Sequence, residues 1–337
     1  MTPERLLAIW RELGEEPASP TGMQRIRLDT ESAIDVFACI FWPSRRPGIL
    51  IEGGGAQRPV DGRIPSCRGV RTVHEVVEAG EARTILRIML DDDRLLAIFA
   101  VLSADLIGSA ITQRTAPEAL RRCIDRLCMW QILFERVTPE GLSEESQRGL
   151  LGELLTLETL LMARLDPLAA VTAWVGPDPA HQDFIHAGTA IEVKTSLAKR
   201  HARIFIANEK QLDERPHEAL VLAHLRMDES ASLGQSVPMV VARLREALVS
   251  DPPAAREFDE RLMLGGYLDL HEPLYVANRW RVSSSRYYRV EGEFPRLTEA
   301  NLPPGVGDIR YSIVADDLGG YEMTVTQVVG LLGADHV

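Results

Sequence analysis

The chain has 337 residues, a length for roughly one to three domains with a sizeable core, and its 45% hydrophobic and 26% charged content is that of an ordinary globular protein. No apolar run reads as approaching the ~20 residues that span a bilayer, and the opening MTPERLLAIWRELGEE reads as a helix rather than a signal peptide, so a cytoplasmic protein with no membrane partner is expected. A net charge of −12 argues against nucleic-acid binding over the whole surface but leaves room for a local basic groove.

Residues 3–13 predict a short amphipathic helix through Leu6, Leu7, Ile9, Trp10 and Leu13. A β-rich stretch follows, with strands expected at 24–28, 34–42 and 48–52, a pair at 70–79 and 82–90, and a further buried strand at 95–101. Gly53-Gly54-Gly55 lacks the residues of a phosphate loop and reads as a turn. Cys39, Cys67, Cys123 and Cys128 have neither metal-ligand spacing nor histidine partners, and read as reduced thiols. A helix over 116–137 carries Pro117 in its first turn, and Thr138-Pro139-Glu140-Gly141 marks a boundary.

Beyond it, Ser143 can cap a helix over 144–165 whose buried stripe is Leu150, Leu154, Leu157 and Leu161, with Glu153 at its edge. A first strand is expected at 170–175, then two strands of a hairpin, a strand at 203–207, a short helix capped by Asn208, and a buried strand at 219–225. Helices over 236–249 and 253–264 follow, and the rest reads as strand and turn, including the basic aromatic stretch 279–289. Three segments result: 1–140, a β-rich region with a closing helix that binds target or partner; 141–230, the core; and 231–337, an α+β extension packed on the core.

The informative stretch is 183–194, DFIHAGTAIEVK. With Ala187-Gly188 as the loop, His186 pairs with Thr189, Ile185 with Ala190, Phe184 with Ile191, and Asp183 lies opposite Glu192. Facing like charges repel, and a divalent cation between them would offset the repulsion. Ile191, Val193 and Thr195 point one way, Glu192 and Lys194 the other. Of the 37 lysines and arginines, only Lys194, Lys199 and Lys210 are lysines. An arginine fork does not replace a compact ammonium, so a lysine two places after Glu192 reads as required. The region is locally basic, with six cations against three anions over 194–215 and five against two over 279–296.

An aspartate followed by Glu-x-Lys on the next strand resembles the catalytic hairpin of the PD-(D/E)xK nucleases, and the whole chain more loosely resembles the bacterial "PD-(D/E)xK motif proteins" of phage-defence loci. The resemblance implies an α/β (α+β) restriction-endonuclease-like core with a central mixed sheet flanked by helices. It implies a metal-dependent DNA endonuclease in which Asp183, Glu192 and the Val193 carbonyl hold Mg²⁺, with Mn²⁺ able to substitute. Lys194 would orient or deprotonate the attacking water, Glu153 would bind a second ion or an outer water, and Gln211 would steady the site. Gln182 stands where the family has proline. Pro177-Asp178 supplies a literal match, so Asp178 competes with Asp183, which is preferred for its strand position. DNA contacts are expected from Thr195, Ser196, Lys199, Arg200, Arg203, Lys210, Arg281, Arg286, Tyr287 and Tyr288. His181, His186 and His201 read as polar neighbours rather than bases. Expected partners are DNA, a methyltransferase and an ATPase of the same system, and a second copy of the chain, since two cuts need two sites. The competing readings are a non-catalytic nucleic-acid-binding or scaffold subunit and a repair or transposition nuclease.

Overall fold

The computed structural model describes the chain except residues 16–20, 30–31, 56–64, 66, 79–80, 137, 178–179, 198–202 and 334–337, and the side chains of 29, 135 and 136. It divides into two compact units, Met1–Pro139 and Glu140–Val337.

In the first unit, helix α1 (Pro3–Glu15) precedes strands β1 (Gly22–Asp29), β2 (Asp35–Trp42), β3 (Arg46–Gly54), β4 (Val70–Val77) and β5 (Arg83–Leu90). They form an antiparallel sheet in the order β1-β2-β3-β5-β4. α1 buries Leu6, Trp10 and Leu13, and Trp10 Nε1 donates to the Gly48 carbonyl at 3.0 Å. The strand expected at 95–101 is instead the start of helix α2 (Leu96–Ile111). Its apolar run continues past Asp105, and α-helix is the outcome that length favours for such a run. Asp105 interrupts the apolar pattern because α3 (Ala116–Arg136) supplies its partners. Arg126 donates to it at 2.8 and 2.7 Å, and Trp130 Nε1 at 2.8 Å. The reading that no apolar run nears membrane-spanning length is also corrected. Asp93–Ile111 has 19 residues and a mean hydropathy of 1.8. It buries Ile98, Phe99, Leu102, Leu106 and Ile107, as a core helix does.

In the second unit, α4 (Glu144–Thr156) starts at Ser143, whose hydroxyl accepts from the Ser146 N–H at 3.1 Å, and it continues through a π-helical turn, Leu157–Leu161. The strand expected at 170–175 is helix α5 (Pro167–Ala173), leaving only Trp174 bridged to Phe184. Asp166 accepts from the Ala169 N–H at 3.0 Å and Pro167 takes the first helical position. This helix start outweighs the strand propensity of Val171 and Thr172.

Strands β6 (Phe184–His186), β7 (Thr189–Leu197), β9 (Ala219–Glu229), β10 (Trp280–Arg289) and β12 (Glu322–Met323) make a mixed sheet, with β8 (Arg203–Ile206) and β11 (Tyr311–Val314) paired separately. The order is β12-β10-β9-β7-β6, with β7 and β9 parallel and the other pairs antiparallel. The strand expected at 203–207 therefore lies outside the main sheet. No helix follows Asn208: the segment is a turn in which Asn208 Oδ1 accepts from the Lys210 N–H at 3.0 Å.

Ile191, Val193, Val221, Ala223, Leu225 and Tyr287 face one core with α4, α5, α6 (Val237–Leu248) and α7 (Pro252–Leu264). Ala190, Leu220, Leu222 and Tyr288 face the other, under Ile204, Ile206 and Ile313 of the β8–β11 pair. The short helices α8 (Glu272–Tyr275) and α9 (Val325–Leu331) complete the element order. Residues beyond 231 thus supply two strands and several core residues of the sheet, rather than a layer packed on a finished core.

Candidate active site

The hairpin forms around Ala187 and Gly188, both at positive φ (45° and 79°), the backbone that a two-residue turn of matching twist needs. The register is Phe184 to Ile191, Ile185 to Ala190 and His186 to Thr189. The Gly188 carbonyl accepts from the Glu218 N–H at 2.8 Å, which ties the start of β9 to the same turn. Residue pairing ends at Phe184 and Ile191, whose carbonyl also accepts from the Asp183 N–H at 3.1 Å, so the expected pairing of Asp183 with Glu192 does not form. The Val193 N–H then has no strand partner on that side, and Asp183 Oδ2 accepts it at 2.7 Å. The Asp183 carbonyl meanwhile accepts from the N–H groups of Val175 and Gly176, at 2.8 and 2.9 Å. Asp183 is thereby fixed by both its main chain and its side chain.

Glu192 is 1% exposed. Lys194 Nζ lies 2.6 Å from its Oε1, and its Oε2 has no hydrogen-bond partner among the described residues. Glu153 arrives from α4, and Trp174 Nε1 donates to its Oε2 at 2.8 Å. Gly152 makes this reach short: a Cβ there would run into Thr195 Cγ2, so α4 lies directly on β7.

Three carboxylates thus share one ammonium. Burial, then Asp183, holds Glu153 well above the usual carboxylate range. Burial also raises Asp183, against the pull of Lys194. Burial and the Asp183 charge push Glu192 up to about 8. For Lys194, burial works against the charged form, but the carboxylates of Glu192 and Asp183 outweigh it and raise its pKa. A divalent ion would supply the missing positive charge. Among the described residues no three acidic, histidine or cysteine side chains already converge as a ligand set. The donors, Asp183, Glu192 and Glu153, are all carboxylates, which suits a hard ion that keeps several waters rather than a thiolate and imidazole zinc cage.

Gln211 is not brought to the carboxylates by any bond it makes. Its Oε1 accepts from the Ala207 N–H at 2.8 Å, and its carbonyl accepts from Gln182 Nε2 at 3.3 Å. Gln182 also reaches the Lys210 carbonyl at 2.9 Å and His217 Nε2 at 3.1 Å, so the residue in the proline position pins the 207–212 turn beside Asp183. Trp174 and Gln182 are the supporting residues that sequence reasoning missed. The first lay inside a misread strand, and the second was signalled only by its departure from the family pattern.

The expected DNA contacts divide. Tyr287 and Tyr288 are corrected: both are buried, one in each core, because adjacent residues on a central strand point to opposite covered faces. Thr195 packs toward Gly152 under α4. Arg203 is exposed on β8, Lys210 is exposed 3.5 Å from Glu299, Arg281 pairs with Asp228 at 3.3 Å, and Arg286 lies 4.0 Å from Glu322. Ser196 Oγ shares a 2.8 Å hydrogen bond with His224 Nε2. The strand registers align Lys194 with His224 and Arg286, and Ser196 with Arg226 and Ser284. Lys199, Arg200, His201 and the competing Asp178 lie outside the described residues. His181 is exposed and His186 half-buried.

Residues 6–316 match the family described as "Putative PD-(D/E)XK family member, (DUF4420)". The chain belongs to this family. Its mixed sheet with flanking helices is the restriction-endonuclease-like α+β arrangement, and membership indicates a nuclease-like fold. The match includes nearly all of the first unit, so that unit is part of what defines the family. No curated protein and no solved structure matches the chain significantly.

Proposed function

We propose that the protein is a metal-dependent DNA endonuclease of restriction type, with its cutting centre at Asp183, Glu192 and Lys194 and with Glu153 beside them. The observation that carries the reading is Glu192: a fully buried carboxylate beside Asp183, with Lys194 Nζ 2.6 Å from Oε1 and no hydrogen-bond partner at Oε2 among the described residues. A buried carboxylate in that state is costly in a protein that only needs to fold. It is useful where a cation is to be held.

Asp183 and Glu192, with the Val193 carbonyl, would hold Mg²⁺ or Mn²⁺, and Glu153 would hold an ion or a water of its shell. The bound ion supplies charge neutralisation at the scissile phosphate and a more acidic water. Lys194 would orient that water and set an ammonium beside the phosphoryl oxygens as negative charge builds on them. Exposed Arg286, in register with Lys194 across the buried His224, and half-buried Ser196 and Arg226 in the next row would be the phosphate contacts nearest the site. Cleavage of incoming phage DNA, partnership with a methyltransferase and an ATPase, action as a homodimer and a cytoplasmic location complete the proposal.

The test is incubation of the protein with modified and unmodified phage and plasmid DNA in Mg²⁺ or EDTA. Cleavage is expected with the metal only, and Lys194→Ala and Glu192→Ala each abolish it. Lys194→Arg is also expected to be inactive, since the planar fork cannot take the ammonium's place. Cleavage that survives both alanine changes refutes the site. No cleavage of any substrate, with or without a partner ATPase, favours a scaffold subunit.

A further inference from the structure

Gly176 lies two residues after Trp174, the tryptophan that binds Glu153, and its own N–H is bonded to the Asp183 carbonyl. Its φ lies outside the left-handed region, so its backbone does not require glycine. The space in front of it does. A Cβ built there would sit 2.9 Å from Asp183 Oδ1 and 3.0 Å from Glu153 Oε2. These are the oxygens of two different carboxylates, brought from two different elements to within 3.0 Å of the same point. Asp183 Oδ2 is already occupied by the Val193 N–H, which leaves Oδ1 as the oxygen turned to that space. Trp174 Nε1 holds Glu153 Oε2 from 2.8 Å away. The carbonyl of Trp174 is in turn bonded by the Arg261 guanidinium, whose Nε reaches Glu257 at 2.7 Å, so the main chain that carries the indole is anchored from α7.

The geometry points to Gly176 and Trp174 as positioning residues of the ion site: Gly176 keeps open the space between Asp183 Oδ1 and Glu153 Oε2, and Trp174 holds the second oxygen on it. The inference rests on the reading of these carboxylates as ion ligands. It separates two reasons for a glycine. A backbone requirement would make alanine unfold the turn, whereas a space requirement makes alanine fold and fail to bind. A methyl group in the gap stands closer to both oxygens than carbon normally approaches, so at least one carboxylate must shift from its place.

The measurement is a calorimetric titration of the full chain with Mn²⁺ alone, without DNA, accompanied by thermal unfolding in EDTA. Wild type should bind and Asp183→Asn should not. Gly176→Ala should unfold cooperatively as wild type does, yet bind Mn²⁺ roughly 10- to 100-fold more weakly, the range for changes just outside the ligands. Trp174→Phe adds no atom and removes only the indole N–H and ring bulk, so it gives a second route should alanine at 176 disturb folding; it should also weaken binding while leaving the fold cooperative. If Gly176→Ala and Trp174→Phe bind as tightly as wild type while Asp183→Asn does not bind, the inference is overturned and the ion site stands. If wild type itself binds no Mn²⁺, the ion site falls and takes the inference with it.

Discussion

Glu192→Gln should give a protein that no longer cuts but is more stable than wild type when metal is absent. The carboxyl of Glu192 titrates near 4.5 in an unfolded chain and is pushed up to about 8 in the fold, first by burial and then by the Asp183 charge, with Lys194 opposing. A carboxyl whose folded pKa is raised holds its proton in the native state over a window where the unfolded chain has lost it. Stability therefore falls as pH rises from about 4.5 to about 8, and stays low above that. At about 1.4 kcal/mol per pH unit the ceiling is on the order of 4–5 kcal/mol. Relaxation and water entry around the ionised group reduce it, and a gain of about 2 kcal/mol for glutamine near pH 9 is expected. The assay is urea unfolding in EDTA, near pH 5 and near pH 9, for wild type and variant. The gain should be small at the lower pH and grow toward the higher one. An equal gain at both, or a loss near pH 9, refutes the argument that an unneutralised charge is stored at this position.

Gly152→Ala places a methyl group on Thr195 and forces α4 away from β7. Overpacking of this kind costs about 1–3 kcal/mol, readable as a lower denaturant midpoint, and an unchanged midpoint would show that the helix can slide. In the first unit, Asp105→Ala removes the acceptor of Arg126 and Trp130, leaving a guanidinium side chain that is 6% exposed without its carboxylate. A loss of about 2–4 kcal/mol is expected in the unfolding of that unit. Double replacement, Asp105→Leu with Arg126→Met, should recover most of it if the cost is the orphaned charge, and none if the bonds themselves mattered.

The hairpin was legible because its signals are local. An Ala-Gly loop and period-two alternation over 189–195 fix the turn and register without reference to distant residues. The two strands misread as such failed for equally local reasons. Asp166-Pro167 is a helix start, and the apolar run at 95 goes on past Val101, the expected end of the strand, to Ile111. What sequence could not supply was coverage. Nothing in the run 279–289 says that both faces of β10 are roofed, and so Tyr287 and Tyr288 read as surface aromatics. The same holds for β8, whose partner β11 is about a hundred residues away, and for Trp174, whose importance lies in one bond to a helix that precedes it.

The site's acids come to it by routes of very different length. Glu192 and Lys194 are neighbours in the chain, and Asp183 joins them across a two-residue loop. Glu153 reaches them only when α4 has docked on β7 through Gly152. A chain emerging from the ribosome, or one partly unfolded, can form the hairpin and still lack the fourth member of the set. Under the proposed function, competence to cut would then be tied to completed folding, and a partly unfolded copy would lack it.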